Sequence, residues 1–354
     1  MVGTPLRALD TPVLVADLDV MEANLARMAA FFAGKHVRLR PHFKNHRVLA
    51  FALRQIKAGA IGITCSRLWQ AERLARAGVQ GILLTSEIVG ETALRQWAEL
   101  SREFPVMAVV DNPRVLEDMA RIGRAAHSTL NVLVEIDLGL KRCGVPPGEA
   151  AADLAQQALA RGLRFRGIMG YEGHVQLLPP GPKKECAVNA ALRALICSKA
   201  LIEGRGIPVE IVSCGGTGDY AISGRWPGVT ENQAGSFLLM DTGYAPYAPD
   251  FQPALSVLAT VVSKTDGEHI VADAGVKAIS GERGLPSVKG IDGMHIRALH
   301  AEHAPIDLEN PCTPVEVGDK IELAVRYHDG TVQLHQRMYG VRKGIVEEVF
   351  TIEH

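Results

Sequence analysis

The sequence lacks an apolar run long enough to cross a membrane, and it lacks a dense block of basic residues. No stretch of about 18 consecutive apolar residues occurs, and no basic segment followed by an apolar core opens the chain. The formal net charge is only -1, so neither nucleic acid nor an anionic membrane is expected as a partner. With 47% hydrophobic residues, these absences predict a cytoplasmic globular protein whose partner is a small molecule.

Cysteine is sparse and irregularly spaced. No CxxC pair occurs, which argues against a zinc knuckle and against a dense disulfide framework. We expect reduced thiols, most of them in buried small side chains. The six cysteines are Cys65, Cys143, Cys186, Cys197, Cys214 and Cys312.

The sequence does contain an alternation of short apolar, β-branched runs with helical patterns. Ser66, for example, precedes a helical pattern from Leu68 to Leu74, and Gly78 follows it. Strands that alternate with helices predict a parallel sheet. Eight such units in about 200 residues favour a closed (β/α)8 barrel, with an open doubly wound sheet as the alternative. The runs cover 37–39, 61–64, 82–85, 106–110, 132–136, 165–171, 209–212 and 236–240.

The two ends of the chain follow other patterns. A strand-like run over 12–18 is followed by a helix that Asp19 and Glu22 open as a capping box. After Tyr244, short strands separated by Gly, Asp and Pro turns replace the helical pattern. We therefore predict an α/β chain with a barrel over 12–244 and an all-β domain over 245–354, joined by residues 1–11. The strands predicted for that domain cover 255–262, 269–272, 295–299, 320–326, 331–334 and 337–341.

Lys44 lies directly after the first predicted barrel strand, in the segment Arg40–His46. Active sites in such barrels gather at the carboxyl ends of the strands. A lysine at this position, flanked by two histidines, is a candidate to carry pyridoxal phosphate as a Schiff base. Further polar residues at predicted strand ends include Thr85, Glu87, Asp111, Asp137, Lys141, Arg142, Tyr171, Glu172, His174 and Asp241.

A glycine-rich loop, Gly215–Gly218, follows the seventh predicted strand. Glycines let backbone amides approach a phosphate, and Thr217 adds a hydroxyl donor. A glycine run is ordinarily a plain turn. In this fold, however, the loops after strands seven and eight are the usual phosphate site, so we predict an anion site here.

Arg142 and the segment from Tyr171 to His174 are expected at the same barrel mouth. A guanidinium there can hold the phenolate oxygen of a cofactor, or it is a surface cation. Tyr171, Glu172 and His174 combine an aromatic face, a carboxylate and an imidazole, which suits ring packing and proton transfer. The alternative is a core tyrosine beside two solvated side chains.

Five ordered motifs resemble the D-threonine aldolase / D-serine dehydratase family of alanine racemase-like, fold type III pyridoxal phosphate enzymes. The resemblance spans nearly the whole chain and implies a barrel followed by a β domain. It also implies that Lys44 holds the cofactor's aldehyde. The motifs cover 40–46, 137–144, 171–174, 215–218 and 233–237. The residues implied to bind the cofactor are Lys44, His42, Arg142, Tyr171, Gly215, Gly216, Thr217, Gly235 and Ser236.

The resemblance also implies a divalent metal (Mn, Mg or Zn) and a homodimer. The family's metal ligands are a His-x-Asp or His-x-Cys pair near the C-terminus, and here Asp329 aligns with the acidic ligand and Tyr327 with the histidine. His328 is adjacent, but in a regular strand it points away from Asp329. Without a bulge in that strand, His328 cannot join Asp329 as a ligand. In the dimer, residues such as Glu302 and His303 are expected to complete the neighbour's site.

The activity implied by the resemblance is retro-aldol cleavage of a D-β-hydroxy amino acid to glycine and an aldehyde, as in D-threonine and 3-hydroxy-D-aspartate aldolases. His174 or a metal-bound group is expected to take the β-hydroxyl proton. Two other reactions stay open: D-serine-type dehydration, and metal-free racemisation by Lys44 with Tyr327 or His174. A non-catalytic carrier of pyridoxal phosphate is a further alternative, although such carriers lack the β domain.

Overall fold

The computed structural model describes residues 1–310 and 313–354, so Cys312 lies outside the described residues. The chain divides into two compact units. The barrel unit comprises Met28–Lys44 and Ala52–Gly235, and the β unit comprises Met1–Arg27, Asn45–Phe51 and Ser236–His354. Within the described residues, no helix has the length and apolar character needed to cross a membrane. The cytoplasmic location stays a prediction.

The strands are β1 (Val13–Asp17), β2 (Arg38–Leu39), β3 (Ile63–Cys65), β4 (Ile82–Leu84), β5 (Met107–Val110), β6 (Asn131–Ile136), β7 (Arg164–Gly170), β8 (Ile211–Cys214), β9 (Glu231–Asn232), β10 (Leu255–Ser263), β11 (His269–Ala272), β12 (Ser287–Val288), β13 (Met294–Ile296), β14 (Ala304–Leu308), β15 (Lys320–Ala324), β16 (Arg337–Arg342) and β17 (Ile345–Thr351). The α-helices are α1 (Leu18–Phe32), α2 (Leu49–Lys57), α3 (Leu68–Arg76), α4 (Glu91–Glu103), α5 (Pro113–Ala125), α6 (Glu149–Ala160), α7 (Gly173–Gln176), α8 (Pro182–Gly204), α9 (Tyr220–Ser223) and α10 (His328–Val332). Short 3-10 turns cover Leu6–Ala8, Phe43–Asn45 and Ala245–Tyr247.

The barrel unit contains an eight-stranded parallel sheet in the order β2-β9-β8-β7-β6-β5-β4-β3. Its two edges meet, since the Ile61 amide donates to the Leu39 carbonyl (2.9 Å) and the Thr64 amide donates to the Pro41 carbonyl (2.9 Å). The predicted (β/α)8 barrel is confirmed, and the open sheet is excluded. Apolar side chains from β4 to β8 fill the interior: Leu83, Met107, Val109, Leu133, Met169 and Ile211.

The eighth strand differs from the prediction. Residues 236–240 form turns in the β unit, and β9 closes the barrel instead. Both residues of β9 are polar and buried. The Glu231 carboxylate is stable at this position because it pairs with the buried Arg40 guanidinium. An apolar periodicity cannot reveal such a strand.

Local signals explain how individual helices begin. Asn112 caps α5 by accepting a hydrogen bond from the Arg114 amide (2.9 Å), with Pro113 in the first turn. At α1 the capping residue differs from the prediction. The side chain of Asp17, not of Asp19, accepts from the Val20 amide (3.1 Å).

The β unit is built on a mixed sheet in the order β13-β14-β11-β10-β1-β16-β17, with β15 paired to β10 and β12. The N-terminal strand β1 runs antiparallel to β10 and parallel to β16. Leu6 and Leu9 pack with Val15 and Leu258 in its core. Residues 12–27 are thus in this unit, and the predicted boundary at residue 12 differs from the observed unit in that segment.

Most strands predicted for the second domain coincide with β10, β11, β13, β15 and β16. The strand predicted over 331–334 is wrong, because the chain forms helix α10 from His328 to Val332 instead. The Thr331 hydroxyl donates to the Tyr327 carbonyl (2.9 Å) and accepts from the Ser280 amide (3.1 Å), which favours the helical turn. Strands β12, β14 and β17 were not predicted.

Candidate active site

Lys44 lies in a 3-10 turn just past the first barrel strand and is half-buried. Its backbone amide donates to Nδ1 of His42 (3.3 Å). Nε2 of His42 lies 3.5 Å from the Thr85 hydroxyl, which donates to the Cys65 carbonyl (3.1 Å). This chain of contacts fits the tautomer with the proton on Nε2. His42 therefore braces the turn that presents Lys44.

The structure brings Arg142, Tyr171 and His174 together at the carboxyl ends of β6 and β7. Cζ of the exposed Arg142 lies 5.5 Å from the centroid of the Tyr171 ring, within cation–π range. The His174 ring is exposed and lies against the backbone of Gly139, where an added Cβ would come within 3.1 Å of it. The loop after β6 and the segment after β7 thus form one continuous part of the barrel rim.

Side chains of the protein hold the glycine loop after β8. The Gly215 amide donates to Glu172 Oε2 (3.1 Å), and the Gly216 amide donates to Asp219 Oδ1 (2.8 Å). The Gly218 amide donates to Gln176 Oε1 (3.0 Å). These amides position the loop, rather than pointing into an open cradle as the sequence suggested. Phosphate binding by Gly215, Gly216 and the buried Thr217 stays a prediction.

Two acids lie beneath this loop. Glu172 is fully buried, and Asp219 is 2% exposed. Burial, and then the nearby Asp219 carboxyl, raise the pKa of Glu172 well above its usual range. Oε1 of Glu172 and Oδ2 of Asp219 are buried, and within residues 1–310 and 313–354 neither oxygen accepts a hydrogen bond from an amide, a hydroxyl or a cationic side chain. A proton held on the buried Glu172 carboxyl, which faces Asp219, accounts for both observations.

The barrel unit fits pyridoxal phosphate by the chemistry of its donors. The carboxyl ends of parallel strands share one rim, and this rim carries the Lys44 amine, the Arg142 guanidinium, the Tyr171 ring and the Thr217 hydroxyl. These groups match an aldehyde, a phenolate, an aromatic ring and a phosphate, respectively. Gly235 is buried just after β9.

A second cluster lies within the β unit, around the buried His328. Its Nδ1 is hydrogen-bonded to Asp241, whose carboxylate also accepts from the His328 amide (2.9 Å). Its Nε2 lies 3.0 Å from Asp329 Oδ1. Asn45, which directly follows Lys44 in the chain, donates to Asp329 Oδ1 (2.6 Å) and lies 3.3 Å from the Ser236 hydroxyl.

The expectation that His328 points away from Asp329 is wrong. The strand rule does not apply, since Tyr327 is the N-cap of helix α10 and His328 and Asp329 form its first turn. A carboxylate behind Nδ1 and a second one beside Nε2 form the usual setting of a metal-binding histidine. His328 and Asp329 therefore fit a divalent metal. Without one, burial lowers the pKa of His328, but the charge of Asp329 and the hydrogen bonds with Asp241 and Asp329 outweigh burial and raise it to about 10.

Tyr327 lies next to this cluster and stacks with Arg283, whose Cζ is 4.4 Å from the ring centroid. Burial, and then the charge of Asp329, raise the pKa of the Tyr327 phenol. The phenol is therefore protonated near neutral pH, which suits an acid better than the base that racemisation requires.

Several residues of these clusters were not recognised in the sequence as partners. Asp219 and Gln176 hold the glycine loop, and Asp241 and Asn45 hold His328 and Asp329. The sequence offered weak signals, since Asp219 follows the glycine run directly and Asn45 follows Lys44. Glu302 and His303 lie exposed on the turn before β14, where Lys277 Nζ pairs with Glu302 Oε1 (2.5 Å).

Comparison with known proteins identifies the family of the chain. Residues 16–242 match the model of the alanine racemase N-terminal domain, and residues 254–341 match a serine dehydratase domain model. A D-threonine aldolase of Arthrobacter sp. is 35% identical over 99% of this chain and 94% of the relative. A 3-hydroxy-D-aspartate aldolase of Paracoccus denitrificans is 31% identical over 97% of this chain and 92% of the relative. The crystal structure of D-threonine aldolase from Filomicrobium marinum superposes with a TM-score of 0.95, at 34% identity over 99% of this chain and 97% of that one. The chain therefore belongs to the D-threonine aldolase / D-serine dehydratase family of alanine racemase-like proteins.

Proposed function

We propose that this protein is a pyridoxal phosphate-dependent lyase that cleaves a D-β-hydroxy amino acid to glycine and an aldehyde. The position of Lys44 carries the proposal. It follows the first strand of a closed parallel barrel, on the rim that also presents Arg142 and Tyr171, in a chain similar over its full length to two aldolases.

In this proposal, residues of the barrel unit hold the cofactor. The Lys44 amine would bind its aldehyde, Arg142 its phenolate oxygen and Thr217 its phosphate. When bound, pyridoxal phosphate supplies an electron sink for negative charge at the substrate's α-carbon. His42 keeps the Lys44 turn in place through the backbone hydrogen bond described above. The exposed His174 imidazole would accept the β-hydroxyl proton.

Residues of the β unit would hold a divalent metal (Mn, Mg or Zn). His328 Nε2 and Asp329 Oδ1 would be its ligands, and Asp241 would orient the imidazole through Nδ1. Such an ion supplies a Lewis acid for an oxygen atom, such as a β-hydroxyl group. Because the phenol of Tyr327 stays protonated, we favour the lyase over metal-free racemisation.

Cofactor attachment is tested by borohydride reduction of the holoenzyme followed by peptide mapping. We expect the reduced cofactor on Lys44. Lys44→Ala is expected to lose the visible absorbance of the bound cofactor, whereas the control Lys183→Ala, at an exposed position of α8, keeps it. Label on another lysine, or normal absorbance in Lys44→Ala, contradicts the assignment.

The reaction is tested with D-threonine, D-3-hydroxyaspartate, D-serine and L-alanine, each with and without a chelator. Glycine plus an aldehyde supports the proposal. An oxoacid plus ammonia indicates a dehydratase, and the enantiomer indicates a racemase. A yellow protein that turns over none of a broad amino acid panel is a carrier. We expect aldolase activity that a chelator removes and that added metal restores less well in Asp241→Asn.

We also propose a homodimer, as the family resemblance implies, in which the exposed Glu302 and His303 on the turn before β14 would complete the neighbour's site. Light scattering coupled to size-exclusion chromatography should give twice the 38.1 kDa mass of one chain. If these residues complete a neighbour's site, Glu302→Ala keeps the dimer mass and lowers turnover. A mass of one chain contradicts the proposal.

A further inference from the structure

A cluster of acid and thiol groups that the proposed reaction does not use lies at the ends of β4, β5 and β6. Glu87, Asp111 and Cys143 each present one possible ligand atom, and these atoms lie within 4.8 Å of one another. All three residues are partly buried. In the part of the chain that the structure describes, this is the only group of at least three such residues at that spacing.

The barrel geometry explains why these residues meet. Val109 and Leu133 point into the barrel interior, so Asp111 and Glu135, two residues further along, point the same way at the carboxyl end. The loop after β6 carries Cys143. Asp111 Oδ2 accepts from the Gly144 amide (3.0 Å), which fixes the thiol beside the carboxylate.

Glu135 supplies an independent observation that points to a cation at this cluster. Its side chain belongs to β6, is 3% exposed, and has Glu87 and Asp111 among its electrostatic neighbours. Glu135 Oε2 and Glu87 Oε1 are buried, and among the described residues neither oxygen accepts a hydrogen bond from an amide, a hydroxyl or a cationic side chain. Burial, and then the hydrogen bond with Glu87, raise the pKa of Glu135, and the charge of the exposed Arg142 offsets them only in part. Buried carboxylates without such partners require a proton or a bound cation.

We propose that Glu87, Asp111 and Cys143, with Glu135 beside them, bind a divalent cation of the zinc class, at a site separate from His328 and Asp329. A thiolate combined with carboxylates suits zinc, whereas magnesium and calcium prefer oxygen ligands alone. Ligands of tetrahedral zinc lie about 2.0–2.3 Å from the ion and hence about 3.5 Å from one another. Side-chain movements of about 1 Å would close the site.

The test measures zinc bound to the full-length holoenzyme after metal depletion, by equilibrium dialysis and by zinc X-ray absorption. We expect a sulfur shell at about 2.3 Å from zinc. Cys143→Ser should abolish this shell and lower the bound zinc by one ion per chain. Asp111→Asn, which keeps an oxygen for the Gly144 amide, and Glu135→Gln should weaken zinc binding about tenfold or more.

Two controls separate this site from others. Cys186→Ser changes an exposed thiol on α8 and should keep the sulfur shell. His328→Gln should keep it too, because the His328–Asp329 pair contains no sulfur. Circular dichroism confirms that each variant is folded. The proposal is overturned if zinc in the wild-type protein shows no sulfur shell, or if the shell persists in Cys143→Ser.

Discussion

Glu231→Gln should destabilise the barrel unit by about 3–5 kcal/mol, because it breaks a buried ion pair from one side. Arg40 Nε and Nη2 donate to the two Glu231 carboxylate oxygens at 2.8 and 2.6 Å. The side chains are only 5% and 2% exposed. The pair links the strand that precedes Lys44 to the strand that precedes Gly235. Without the carboxylate, a guanidinium charge remains buried without its counterion.

Tryptophan fluorescence during urea denaturation measures this effect selectively. All three tryptophans, Trp69, Trp97 and Trp226, belong to the barrel unit. The matched control is Glu210→Gln in the same unit. Arg166 and Glu210 pair at 2.8 Å, but their side chains are 24% and 49% exposed. A surface pair contributes about 0–1 kcal/mol, so the control should change the free energy of unfolding little.

A double variant distinguishes a lost counterion from damaged packing. Arg40→Met combined with Glu231→Leu removes both charges and should recover much of the stability that Glu231→Gln loses, since apolar replacements of buried pairs are often neutral. The reasoning is refuted if Glu231→Gln costs no more than Glu210→Gln. It is also refuted if the double variant is no more stable than Glu231→Gln.

Three further predictions concern the barrel unit. Gly215→Ala should lower the affinity for the cofactor and the thermal midpoint of unfolding. The φ of +82° disfavours a side chain, and an added Cβ would clash with the Asn232 side-chain amide and lie 2.7 Å from the Ser223 hydroxyl. Titration with pyridoxal phosphate and a melting curve measure the two effects. The raised pKa of Glu172 means that its contribution to stability is full below the ordinary glutamate pKa and is lost as pH rises through the raised value. Urea midpoints between about pH 5 and pH 9 should therefore fall less in Glu172→Gln than in the wild-type protein, and parallel profiles would contradict this. A thiol reagent followed by peptide mapping should modify the native protein at its exposed cysteines and spare the buried ones, whose pKa burial raises; the two sets are Cys186 and Cys197 against Cys65 and Cys214.

The sequence predicted the barrel because seven of its eight strands lie in short apolar runs, and apolar side chains from five of them, β4 to β8, fill the interior. It missed β9 because Glu231 and Asn232 are polar, and Glu231 is stable inside only through its pairing with Arg40, 191 residues away. The expectation that most cysteines are buried is also wrong. Of the five described, two are buried and two are exposed on the long helix α8.

Within the candidate site, the sequence identified the rim residues but not their partners. Lys44, Arg142 and Tyr171 follow strand ends, and parallel strands place such residues on one rim whatever their sequence separation. The Gly215–Glu172 bond joins residues 43 positions apart, and the His328–Asp241 bond joins residues 87 positions apart. These pairings depend on loop paths that no local pattern encodes.

The secondary structure of residues 327–329 decides whether His328 can be a metal ligand. Read as a strand, residues 327–329 place Tyr327 and Asp329 on one face and remove His328 from the ligand set. In a helical turn, successive side chains are rotated by about 100° instead, and His328 Nε2 lies 3.0 Å from Asp329 Oδ1. The departure from the family motif at Tyr327 then need not remove the metal. It shifts the histidine by one position, and Asp241 supplies the carboxylate behind it. Chelator sensitivity in the Tyr327→Phe variant follows directly, because the phenol is not part of this ligand pair.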